Sequence, residues 1–135
     1  MKLWDSHSHL DQYSLSEIPD ILLRAQDSNV SLIISAGTTL ESSKECINLS
    51  NQYPIIKAGV GIHPTEANTI IDDNTSDILD TLIKENRNVV CISETGMDYL
   101  PEFPDKRIQE QVFRTQIRLG IAHNTTIIFP YRESH

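Results

Sequence analysis

Residues 5–11 read Asp-Ser-His-Ser-His-Leu-Asp, which sets Asp5, His7 and His9 at alternate positions. In an extended strand alternate side chains share a face, so these three are expected to point the same way. Two imidazoles about 6–7 Å apart along such a strand can converge on one ion. A His-x-His by itself reads as readily as two exposed polar residues near an N-terminus. Its weight comes from Glu94, which falls just after a later apolar run. His7, His9 and Glu94 together would offer two neutral imidazoles and one carboxylate. That set suits zinc, manganese or another divalent ion and leaves positions open for water. The chemistry it implies is hydrolysis, because a bound metal lowers the pKa of water and polarises a phosphoryl or carbonyl oxygen. Taken singly, Glu94 fits a helix N-terminal charge or a salt-bridge partner, and His63 fits a loop histidine before Pro64.

The elements that must position these residues repeat along the chain. Apolar runs rich in Ile and Val occupy Lys2–Trp4, Leu32–Ala36, Ile55–Ile62, Val89–Ile92 and Thr126–Phe129. They show little polar alternation, as expected of strands covered on both faces. Helical spacing predicts helices over 17–28, 39–52, 77–86 and 105–123. Ser16 is the expected N-cap of the first, with Pro19 in its opening turn. Thr38 and Glu41 have the spacing of a capping box for the second. The order βαβαβαβαβ predicts a parallel sheet. Two architectures fit it: a doubly wound sheet, or part of a (β/α)₈ barrel. The Gly-x-Gly of residues 59–61 is a poor dinucleotide fingerprint, lacking a third glycine. Polar residues meanwhile gather after every run but the second: His7 and His9, His63, Glu94 and Asp98, and Tyr131 to Glu133. Barrel enzymes carry their sites at that end of the strands.

Composition narrows the classes. The 135 residues are 39% hydrophobic and 22% charged, which suits one globular domain and not disorder. The net charge of −8 argues against a broad basic surface for nucleic acid, while leaving room for a local metal-neutralised phosphate site. No apolar run is long enough for a membrane span, and the N-terminus does not read as a secretory signal. Cys46 and Cys91 have no metal-type spacing and are expected as buried thiols in a reducing cytoplasm.

Several motifs in order then resemble one family. "DSHSHLD" (5–11), "GIHP" (61–64), "SETGMDY" (93–99) and "QEQVFRTQIRLG" (109–120) are similar to successive signatures of the TatD family of metal-dependent deoxyribonucleases. Ser93 and Met97 stand where that family more often has Gly and Leu. The resemblance runs over the whole chain. It implies a TIM-like α/β barrel, a two-metal site using Mg, Mn or Zn, and phosphodiester hydrolysis of DNA at ends or single strands. By motif, His7 and His9 match the metal ligands of the first strand, and Glu94 the bridging carboxylate, both metal-binding and catalytic. His63 matches a catalytic and substrate-binding histidine, and Arg132 a substrate-binding arginine.

The departures from the pattern matter equally. Pro130 stands where the family has a histidine for the second metal, and His135 lies too far on to replace it. A full barrel needs about 250 residues. Residues 1–135 are therefore expected to be the N-terminal part of a single barrel domain, incomplete after about five strands and four helices. One metal or fewer is expected per chain, with impaired activity. An amidohydrolase acting on a small molecule is the alternative, since such barrels also open on His-x-His. Many of those bridge their metals with a modified lysine where this chain has Glu94. A non-catalytic remnant is the third reading.

Overall fold

A computed structural model of the chain describes residues 1–68 and 71–129 in full, and the backbone of 131–132. The repeating apolar runs form a parallel sheet of β1 (Leu3–Ser8), β2 (Val30–Ala36), β3 (Ile56–Val60), β4 (Val89–Ile92) and β6 (Thr126–Ile127). Between them lie α1 (Ile18–Asp27), α2 (Leu40–Gln52), α3 (Asp73–Glu85) and α4 (Lys106–Ala122). The strands stand side by side in chain order, β1-β2-β3-β4-β6. This order separates the two architectures. A doubly wound sheet reverses direction at a switch point, whereas a barrel wall adds each strand beside the last. The sheet is therefore an incomplete (β/α) barrel, with β1 and β6 at its edges.

Helix packing explains which side chains are buried. Register pairs Ile33 with Ile56 and Ser35 with Ala58, so these residues share a face. Ile33 and Ile56 pack with Leu10, Ile18, Leu22 and Leu49 from the first two helices and the turn before them. Ala58 and Val60 pack with Cys46 and Ile47 of α2, and Ile92 with Leu79 of α3 and Leu119 of α4. Pro19 does sit in the first turn of α1, where its missing N–H breaks no intrahelical bond. Asn29 and Asn124 follow α1 and α4 with φ of 63° and 49°, a left-handed conformation that asparagine tolerates after a helix.

Several expectations need correction. Coverage on both faces holds for β3 but fails for β1, where Leu3 is 43% and Trp4 73% exposed. As an edge strand, β1 has a neighbour on one side only. The N-cap of α1 is Glu17, not Ser16; its carboxylate instead accepts from the Ser14 N–H and hydroxyl. The capping box is Thr39 with Ser42, one residue later than Thr38 with Glu41, because Thr38 gives its carbonyl to the His63 N–H. Helix α3 starts earlier than 77, at a cap where Asp72 accepts from the Thr75 N–H. A second sheet pairs β5 (Met97–Asp98) with β7 (Tyr131–Arg132), and the expected run at 126–129 yields only the two residues of β6. Pro130, Glu133 and His135 lie outside the described residues.

Candidate metal centre

The site residues collect at the C-terminal ends of β1, β3 and β4. His7 lies in β1, and His9 just after it caps the 3₁₀ turn Leu10–Gln12. His63 follows β3 and Glu94 follows β4. Backbone bonds stitch these strand ends together. Glu94 N–H donates to the Gly37 carbonyl at 2.9 Å, Ser93 N–H to Val60 at 3.0 Å, and His63 N–H to Thr38 at 2.9 Å. The Ser93–Glu94 peptide bond is cis.

Glu94 lies among three imidazoles. His7 Nε2 is 2.9 Å from Oε1, His9 Nε2 3.4 Å from Oε2, and His63 Nε2 4.0 Å from Oε2. The His7 and His9 rings meet edge to face, with centroids 5.0 Å apart. His7, His9 and Glu94 each offer an atom within 4.8 Å of the others, forming the one such group among the described residues. Asp5, expected on the same face, does not join them. Its Oδ1 accepts from the His7 N–H at 3.1 Å, and the strand register slips between Asp5 and Ser8, which breaks strict alternation. Arg132 pairs by backbone with Asp98 in the small sheet.

The donor set fits a cation. His9 Nδ1 is 2.9 Å from the Ala36 carbonyl oxygen. A carbonyl only accepts, so Nδ1 carries a proton, and in the neutral ring the Nε2 lone pair then faces a carboxylate oxygen. Two lone pairs turned on each other call for a positive charge between them. Their separation is close to the roughly 3.4 Å between neighbouring ligands around a tetrahedral ion with bonds of about 2.1 Å. The side chains are 37% exposed at His7, 28% at His9 and 12% at Glu94, so the group is open to solvent on one side. Burial lowers the His63 pKa, opposed in part by the charges of Glu94, Asp98 and Glu66. Burial likewise raises the pKa of Asp11, beside the Cys46 thiol.

Two residues on α4 hold the loops, and residue-by-residue reading did not single them out. The Gln116 amide is fully buried and pairs with both backbone groups of one residue: Oε1 accepts from the Ile62 N–H at 2.8 Å, and Nε2 donates to the Ile62 carbonyl at 3.0 Å. Nε2 also reaches Thr95 Oγ1 at 2.6 Å. One side chain thus ties the residue before His63 to the residue after Glu94. A Cβ on Gly61 would come 2.9 Å from Gln116 Oε1, so this approach needs glycine. Gln109, two turns earlier on the same helix, repeats the arrangement with the backbone N–H and C=O of Asp98. The available signal was two glutamines seven apart on one face of an amphipathic helix, where apolar residues are the norm.

The sequence profile of the TatD-related DNases matches residues 4–135. The chain belongs to that family. It is 30% identical over 134 residues to the metal-dependent hydrolase YabD of Bacillus subtilis, covering 98% of this chain and 51% of YabD. It is 28% identical over 120 residues to the 3'-5' ssDNA/RNA exonuclease TatD of Edwardsiella piscicida, covering 88% of this chain and 45% of that protein. The solved structure of a TatD-family hydrolase from Entamoeba histolytica superposes with a TM-score of 0.88 at 27% identity, over 99% of this chain and 51% of the other. The chain thus spans about half the length of these TatD-family relatives. The superposition carries the barrel architecture beyond strand order alone. No helix among the described residues is long and apolar enough to cross a membrane.

Proposed function

We propose that residues 1–135 form the N-terminal part of one TatD-type barrel domain, and that the barrel is a metal-dependent phosphodiester hydrolase acting on DNA at ends or single strands. The observation that carries this reading is the Glu94 carboxylate among three histidine Nε2 atoms at the C-terminal ends of the strands. The relative named as a 3'-5' ssDNA/RNA exonuclease supports the substrate class. His7, His9 and Glu94 would hold one divalent ion, magnesium, manganese or zinc, which supplies a Lewis acid and an acidified water when bound. His63 stands 4.0 Å from Glu94, close enough to hold a substrate oxygen beside the carboxylate. Arg132 is assigned by motif to the substrate phosphate, where a guanidinium matches two phosphate oxygens. A carboxylate at Glu94, in place of the lysine of many amidohydrolase barrels, favours the nuclease over a small-molecule amidohydrolase. The free thiols of Cys46 and Cys91 suit a reducing cytoplasm.

Calorimetric titration of the chain with Mn²⁺ tests the site. One ion per chain is expected, with affinity falling more than about 100-fold in His9→Ala or Glu94→Ala, since partners of ligands alone cost about 10–100-fold. Unchanged binding in Glu94→Ala, or two tightly held ions by elemental analysis, would contradict it.

A further inference from the structure

The imidazoles around Glu94 are not equivalent, and their obligate partners fix how they differ. A neutral imidazole has one N–H and one lone pair, so the partner of either nitrogen decides what the other can do. At His9 the partner of Nδ1 is the Ala36 carbonyl oxygen, an acceptor only, which leaves Nε2 as a lone pair. At His63 the partner of Nδ1 is the Thr65 backbone N–H at 3.2 Å, a donor only. Thr65 Oγ1 lies 2.7 Å from the same nitrogen. Nδ1 of His63 must therefore accept, and the ring proton sits on Nε2, the atom that faces Glu94. A protonated nitrogen has no lone pair for an ion.

The cause is local and lies in the chain order His63-Pro64-Thr65. The first N–H groups of a helical turn have no acceptor within it. The 3₁₀ turn Pro64–Glu66 begins with a residue that has no N–H, so Thr65 carries its first orphan donor. The His63 ring closes back on that donor, as a shorter Asn or Asp side chain does at an N-cap. The same bond caps the turn and selects the tautomer.

We propose that Thr65 is a positioning residue: it locks His63 in the Nε2–H tautomer, so that His63 presents a hydrogen-bond donor to an oxygen of an anionic phosphodiester and does not serve as a third imidazole ligand. The inference rests on the hydrolase reading above. It divides the histidines into two kinds, His9 built to bind a cation and His63 built to bind an anion, about one carboxylate apart.

Protein labelled with ¹⁵N-histidine reports the tautomers directly in multiple-bond ¹H–¹⁵N correlation spectra at pH 7.5, with and without Zn²⁺. The expected wild-type spectrum has the His9 proton on Nδ1 and the His63 proton on Nε2. Saturating Zn²⁺ should shift Nε2 of His7 and His9 while His63 keeps its Nε2 proton. Thr65→Pro removes the backbone donor and the hydroxyl together, and Zn²⁺ should then shift His63 as well; Thr65→Ser, which keeps both, and Thr65→Val, which keeps the backbone donor, should match the wild type. A His63 proton on Nδ1, or its Nε2 proton displaced by Zn²⁺ in the wild type, overturns the proposal even if Thr65→Pro fails to fold. A folded Thr65→Pro whose His63 behaves as wild type overturns the role of Thr65. No shift at His7 and His9 would instead refute the metal centre and leave the tautomer result standing.

Discussion

Glu94 follows Ser93, which is buried and tied by its N–H to the Val60 carbonyl, and that placement leaves a cost behind. The Ser93 hydroxyl has no partner among the described residues. A buried polar group without a hydrogen bond loses its water without recompense, whereas an apolar replacement of the same shape does not. Ser93→Ala is expected to stabilise the fold by up to about 1 kcal/mol in urea denaturation without altering metal affinity. Destabilisation of that size or more would show that the hydroxyl has a partner. At this scale the sequence was informative for His7, His9 and Glu94, whose types and strand-end positions singled out a group that the fold does bring together. It was silent on the strand register beyond Asp5, whose slip has no marker in a run of Ser and His. It was silent on Ser93, whose hydroxyl reads like any other until its neighbours are known.

Helix α4 does more at the element scale than cover the sheet. Its two buried glutamines supply strand-like pairing from the side: Gln116 to the loop after β3, where the main ladder has ended, and Gln109 to Asp98 in the short strand β5. Gln116→Ala strands the N–H and C=O of Ile62, each costing about 1–3 kcal/mol when buried unpaired. A loss of roughly 2–4 kcal/mol is therefore expected in urea denaturation, together with weaker Mn²⁺ binding as the Glu94 loop loosens. A loss below about 0.5 kcal/mol, the range of ordinary surface substitutions, would mean that the loops hold themselves. The long elements were legible from Ile- and Val-rich runs and helical spacing. The pairing of Met97–Asp98 with Tyr131–Arg132 was not, because two-residue strands carry no periodicity to read. The start of α2 shifted by one residue where a neighbouring strand end claims the Thr38 carbonyl through the His63 N–H, and α3 starts four residues early because Asp72 supplies its cap.

Burial and incompleteness meet in the molecule as a whole. Both cysteines lie in or beside the packed layer of helices and sheet, and burial pushes each thiol pKa up to about 12. At pH 8 only about one thiol in ten thousand would be thiolate, the reactive form. A disulfide-exchange reagent is thus expected to label neither Cys46 nor Cys91 until denaturant is added, and rapid native labelling would show that the layer opens readily. The end that carries His7, His9 and Glu94 holds one candidate ligand group among the described residues. Two-metal phosphodiester hydrolysis needs one ion to generate hydroxide and a second to steady the leaving oxygen. The described residues offer one group of three ligands, while the relatives that carry the activity by name are about twice as long. Each 1.4 kcal/mol of transition-state stabilisation forgone slows the reaction tenfold, and several such losses bring it to background. The 135-residue polypeptide with Mg²⁺ or Mn²⁺ is therefore expected to cleave single-stranded DNA at or near the uncatalysed rate. Pro130→His alone should not change that, since it restores at most one ligand. Joining the chain to the C-terminal half of a TatD-family relative, with that substitution, should produce cleavage that Glu94→Ala abolishes. Robust cleavage by the polypeptide alone, lost in Glu94→Ala, would instead mean that three ligands suffice or that a second copy supplies the rest, which measuring the rate against protein concentration would separate.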